Sequence, residues 1–131
     1  MRHRFVRFVT TQIDADSHRR RGALGAAYDF VDSKRLPKAD EDELRALHDW
    51  FEDHLEIPRR FSRSRRSGAA HKAISWFKST ARDHVRRMRE LCRILNENGI
   101  ATEMITSARP GYVVFEDEHQ VAAVPFAETA T

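Results

Sequence analysis

The side chains in this chain best suited to chemistry are cations on a helical spacing. With Lys78 as the origin and about 100° per residue, Arg89, Arg82, Arg93 and Arg86 follow within about 80°, so five positive groups share one stripe. Like charges one turn apart destabilise a helix by about 0.2–0.5 kcal/mol per pair. Something of opposite sign should therefore face them. A phosphate backbone would do so through contacts that position a protein without reading sequence. Arginine supplies 19 of the 23 cations, which favours forked contacts to phosphate or carboxylate over simple solubilising charge.

The adjacent segment 58–70, PRRFSRSRRSGAA, adds Arg59, Arg60, Arg63, Arg65 and Arg66 and reads as a mobile Arg/Ser-rich loop. Arginine-rich segments fold on RNA, and Phe61 could stack on a base or simply anchor the loop. Ser62, Ser64 and Ser67 sit where phosphorylation would lower the charge. The ten cations named so far form the candidate anion-binding set.

The net charge is only +3, and it is distributed in blocks: +4 over 1–21, −7 over 40–56, +10 over 59–93 and −5 over 94–131. The acidic block could neutralise the basic one inside the fold, or Arg stems could cover the core edge while their heads stay in water. An acidic stretch of one copy could equally meet the basic stretch of another, and symmetric dimers are the commonest outcome for such surfaces.

Other constellations are thinner. His48 and Glu52 lie one turn apart, with Asp49 and Asp53 on the neighbouring stripe, but no third ligand is supplied from elsewhere and no HExxH occurs. Neither metal nor cofactor is implied. Cys92 falls in the middle of an apolar face, where a buried, inert thiol is expected. No GxSxG, Walker loop or GxGxxG is present; Gly22 and Gly25 lack the Lys-Ser or Lys-Thr that would follow. An enzymatic alternative would bring Arg109, Tyr112, Glu116 and His119 of a terminal hairpin against His84 or His48.

The elements that must position these groups are those of one α+β domain spanning 1–131. Residues 4–10, RFVRFVT, read as a strand with apolar groups on both faces: Phe5 and Val9 on one, Val6 and Phe8 on the other. Residues 11–22 read as a loop, and a short helix follows on Leu24, Ala27, Tyr28 and Val31. Asp40 and Glu43 have capping-box spacing before Leu44, Leu47, Phe51 and Leu55, and Pro58 should end that helix near Ile57. A long helix is expected from about Lys72 to Asn98, with Ile74, Phe77, Ala81, Val85, Met88, Cys92 and Leu95 inward and Gly99 as its C-cap. Trp76 points away from that stripe and needs a second internal contact. Strands follow at 101–107, at YVVFE and at QVAAV, the first two joined by a turn at Arg109-Pro110-Gly111. The expected order is β-α-α-α-β-β-β, a four-stranded, mostly antiparallel sheet with helices packed on one face.

WFK in a basic helix, followed by RPGYVVFEDEHQVAAVPF, resembles small uncharacterised bacterial proteins. The resemblance spans 40–127, is strongest over 108–126, and implies a bacterial source with no activity, cofactor or catalytic residue attached. No apolar run approaches the roughly 18 residues of a membrane span, and the first residues lack a signal-peptide core, so a cytoplasmic location is expected. The expected role is non-catalytic binding of an anionic partner, nucleic acid or an acidic protein surface, by the basic helix and the Arg/Ser loop. The alternatives are a self-associating or regulatory module, including a homodimer, and a small enzyme built on the terminal hairpin.

Overall fold

The computed structural model describes residues 4–15, 18–56 and 73–131. Among these the order is β1 (Phe5–Ile13), β2 (Arg20–Gly22), α1 (Ala23–Asp32), α2 (Lys38–His54), β3 (Ile74–Lys78), α3 (Arg82–Glu97), β4 (Thr102–Ser107), β5 (Tyr112–Glu116) and β6 (Gln120–Val124). The α+β class and the mostly antiparallel sheet agree with the sequence reading. The count does not: six strands form instead of four.

Two local differences account for this. Part of the stretch read as a loop is a hairpin, because β1 runs on to Ile13 and Arg20–Gly22 returns antiparallel to it, with Val9 opposite Gly22 and Ile13 opposite Arg20. The expected helix from about Lys72 is broken into β3 and α3. Ile74, Phe77 and Ala81 fit a helical stripe, but Ile74 and Trp76 also alternate as a strand does, and non-local pairing decides the matter. β3 is paired on both sides, to β6 from Ile74–Ala123 to Phe77–Gln120 and to β1 at Phe5–Lys78 and Val6–Phe77. Lys72 itself lies outside the described residues.

The second helix also starts earlier than its capping signal. Pro37 precedes the first turn and no side-chain cap bond forms, so Asp40 lies inside the helix. There it accepts a hydrogen bond from Asn98 Nδ2 at 3.0 Å and ties α2 to the end of α3.

β4 does not pair with β5. It lies along β1 for six residues, from Phe5–Ser107 to Thr10–Thr102, while β5 pairs with β6 at the opposite edge. In a flat sheet these edges would stand four strand spacings apart, about 19 Å. The five residue steps from Ser107 to Tyr112 reach about 17 Å at most. The sheet must therefore curl, and the side chains agree: Ile105 of β4 and Val113 of β5 pack on one cluster with Phe5, Ile74, Trp76 and Val121. Gly111 belongs to this crossing rather than to a hairpin turn. Its φ is +140°, and a Cβ there would clash with the Val124 carbonyl oxygen.

The helices cover the other face, as expected. Val6, Phe8 and Phe77 of the sheet join Phe30, Leu44, Phe51, Met88, Leu91, Ile94 and Leu95 of α1, α2 and α3 in the main core. Trp76, which did not fit the helical stripe, is buried in the concave cluster, which is the second internal contact its position required.

Candidate ligand-binding site

The cationic stripe does not survive folding as one surface. Lys78 stands on β3 instead of a helix and pairs with Glu116 at 2.6 Å. Arg93 is enclosed by Glu90, by Glu97 at 2.8 Å and by Glu43 of the acidic helix at 3.4 Å. Those carboxylates raise its pKa above the ordinary guanidinium value, Glu90 most of all and then Glu97. Arg86 pairs with Asp83 at 3.1 Å. Arg89 reaches the Met104 sulfur at 3.8 Å, and neither Arg89 nor Arg82 makes an ion pair among the described residues. Arg59, Arg60, Arg63, Arg65 and Arg66, with Phe61 and the three serines, lie outside the described residues.

The hairpin groups disperse in part. Arg109 sits over the Phe126 ring at 5.1 Å, Tyr112 is 60% exposed, and Glu116 is engaged with Lys78. Only His119 meets one of the expected histidines, stacking on His84 with ring centroids 4.3 Å apart. His84 is buried, and its Nε2 lies 2.7 Å from the His54 carbonyl oxygen. It therefore donates as a neutral imidazole, and burial lowers its pKa against that hydrogen bond. His48 lies elsewhere, edge-on to Tyr28 at 3.7 Å. Its two ring nitrogens approach Asp49 at 3.5 Å and Glu52 at 3.4 Å, on an open helix face whose carboxylates are exposed. Cys92 is buried, and burial raises its pKa, so the thiol is as unreactive as its position suggested.

The strongest site is one the charge pattern did not mark. β1 exchanges partners along one edge: it pairs with β3 through Val6 and with β2 from Val9 onward. In the interval the strands separate, and a cavity of about 260 Å³ occupies the seam. Phe8, Leu24, Leu55, Phe77 and Met88 provide its apolar lining. Gln120, itself buried, closes one side by donating its amide to the Glu56 carbonyl and to Asp117 at 3.2 Å.

Arg7 and Trp76 also line the seam. They are the next pair in register after Val6–Phe77, where the ladder stops. Arg7 is only 7% exposed and Trp76 1%. Arg7 Nη2 donates to the Arg20 carbonyl, but Arg7 Nη1 and Trp76 Nε1 are buried without any hydrogen-bond partner among the described residues. No carboxylate forms an ion pair with Arg7 among those residues. Burial holds its pKa down to about 10, Arg20 and Arg19 push the same way, and Asp14 opposes them. A buried guanidinium with one terminal nitrogen unbonded, and an indole N–H without an acceptor, both among the described residues, are costly arrangements.

A signal for Arg7 was present in the sequence. A strand apolar on both faces places Arg7 between Phe5 and Val9, on a face that must also be covered. Searched against protein-family models, curated proteins and solved structures, the chain matches none.

Proposed function

We propose that this protein acts by binding a small organic ligand in the seam between β1, β2 and β3, without catalysing a reaction on it. The observation that carries this reading is the mostly apolar cavity itself, with Phe8, Leu24, Leu55, Phe77 and Met88 in its lining and Gln120 and Glu56 among its polar members. Interiors are close-packed, and a partly open cavity of this size in so small a domain leaves apolar side chains short of dispersion contacts. Buried donors without acceptors add to that cost. A concave apolar site with a few convergent polar groups is the form ligand pockets take.

The test is a screen of small soluble fragments by two-dimensional amide NMR. Binding should move the resonances of Arg7, Phe8, Gly22, Ser75 and Phe77 together. Fragments that leave the seam unmoved, or that collect on another surface, would refute the reading.

A second reading keeps the anionic macromolecule. It is favoured by Arg82 and Arg89, which have no carboxylate partner among the described residues, and by the five arginines of 59–66 in the sequence. Arg93 and Lys78 contribute little to it, because their charge is already answered within the fold. Its measurement is salt-dependent binding to random-sequence RNA. Loss of binding in Arg82→Glu/Arg89→Glu would support it, and retained binding would remove these residues from it.

A further inference from the structure

Beyond the ligand site, we propose that His84 and His119 form a pH-sensitive latch that clamps the β5–β6 turn onto the end of α2, shut while both rings are neutral and released by acid. The two rings come from different elements. His84 lies in the first turn of α3 and is buried, while His119 is carried by the turn between β5 and β6. Their rings stack with centroids 4.3 Å apart and planes 28° from parallel. His84 also meets Trp50 at 4.8 Å and Phe51 at 6.2 Å from α2, and Phe77 at 6.0 Å from β3.

What the latch holds is the chain leaving α2. His84 Nε2 donates to the His54 carbonyl at 2.7 Å, and Gln120, next to His119, donates its amide to the Glu56 carbonyl. The two carbonyls on either side of Leu55 are thus fixed from one place. Asp117 accepts the backbone N–H groups of His119 at 2.8 Å and Gln120 at 2.9 Å, so the turn moves as one piece. Leu55, Phe77 and Gln120 all line the seam, and the latch therefore fixes one of its walls.

Acid acts on His84 through its surroundings and not through that hydrogen bond, because Nε2 carries a proton in both states. A charged ring among Trp50, Phe51 and Phe77 loses its hydration, and a proton on His119 would set a second cation against its face. The other charged groups around the stack divide. Arg87, over the Trp50 ring at 3.9 Å, and His54, when protonated, oppose the charge. Asp83 on α3 favours it, as does the acidic rim of Glu52, Asp53 and Glu56 with Asp117 and Glu118 of the turn; Glu118 stands 3.9 Å from His119 Nε2. Lys78 of β3 is engaged by Glu116. Burial prevails and holds His84 below the ordinary imidazole value. Once the turn lifts, the ring meets water and takes up its proton, so release and proton uptake are one event.

The experiment is amide hydrogen exchange of the full chain by NMR between about pH 7.5 and about pH 5, corrected for the intrinsic pH dependence of exchange and repeated in low urea. Leu55 N–H, bonded to the Phe51 carbonyl at 2.8 Å, and Gln120 N–H read the latch. Leu91 and Leu95, buried in α3, read unfolding of the whole chain. The latch amides should exchange through an opening that urea barely promotes and that grows by up to about tenfold per pH unit below about 6.5, as uptake of one proton requires. His84→Gln, which keeps an amide donor for the His54 carbonyl and cannot titrate, should remove that growth. His119→Phe, which keeps a ring in the stack without a charge, should make the growth level off at a higher pH. An opening independent of pH, or latch amides that match Leu91 and Leu95 in protection and urea dependence, would overturn the latch. So would a pH dependence that persists in His84→Gln or is unchanged in His119→Phe. Should His84→Gln fail to fold, the wild-type pH series and His119→Phe decide the question. These measurements use no ligand, so the latch and the ligand site stand or fall separately.

Discussion

Replacing Arg7 by methionine should make the ligand-free protein more stable, although it removes a buried hydrogen bond. The folded chain holds the Arg7 pKa well below the ordinary guanidinium value, at about 10. At about 1.4 kcal/mol per tenfold change in proton affinity, that depression corresponds to roughly 3 kcal/mol acting against the fold while the group is charged. The sign follows from proton linkage. The unfolded chain binds this proton more tightly, so the cost is fully present at every pH below about 10. It disappears only as pH rises from there toward the ordinary guanidinium range.

Methionine has a similar length, carries no charge and adapts to an irregular apolar wall. The loss is the Nη2 bond to the Arg20 carbonyl, worth about 1 kcal/mol. The net expectation is a gain of about 2 kcal/mol, within the range found when buried ionic groups are replaced by apolar ones. At about 4 °C per kcal/mol for a chain of this size, the melting temperature should rise by about 8 °C. Thermal unfolding followed by circular dichroism at pH 7, without ligand, measures it. An unchanged or lowered melting temperature would show that the Arg7 charge is already compensated inside the fold.

Further predictions concern the rest of the molecule. His84 is buried as a neutral imidazole with a lowered pKa, so the unfolded chain binds more protons on acidification; stability should fall as pH drops below 6.5, and His84→Gln should flatten that slope in denaturant titrations at several pH values. Gly111→Ala drives a Cβ into the Val124 carbonyl oxygen at a φ that side chains avoid, and should cost about 2–4 kcal/mol by chemical denaturation. Leu95→Ala, at a fully buried position on α3, should cost about 2–5 kcal/mol in the same assay. Arg93→Ala removes a cation already enclosed by three glutamates and should leave the salt dependence of RNA binding unchanged, whereas Arg82→Glu/Arg89→Glu should reduce any such binding. Sedimentation across salt concentrations tests the homodimer; a monomer throughout would exclude pairing of acidic and basic surfaces between copies.

The amino-acid sequence by itself determined the elements whose signal is local. The apolar stripe Val85, Met88, Cys92 and Leu95 repeats at the helical period and forms α3; Leu44, Leu47 and Phe51 do the same in α2. The β-branched and aromatic runs YVVFE and QVAAV form the β5–β6 pair where expected. Each depends on a period of a few residues, which the chain carries in its own order.

Tertiary structure decided what depends on partners distant in sequence. Residues 74–78 satisfied both periods, and pairing with β1 and β6 selected the strand. β4 was drawn to β1, 96 positions away at Phe8–Met104, instead of to its neighbour β5, and the short crossing that followed curled the sheet. Packing of α2 on α3 added Glu43 to the Glu90 and Glu97 of Arg93's own helix, so charge that looked outward from the sequence was answered within the fold. The seam has no local signature at all, because it exists only where β1 leaves one partner and takes another. Arg7 owes its burial to that exchange: strand propensity is written in neighbouring residues, but which strand lies alongside is fixed by burial and hydrogen bonding across the whole chain.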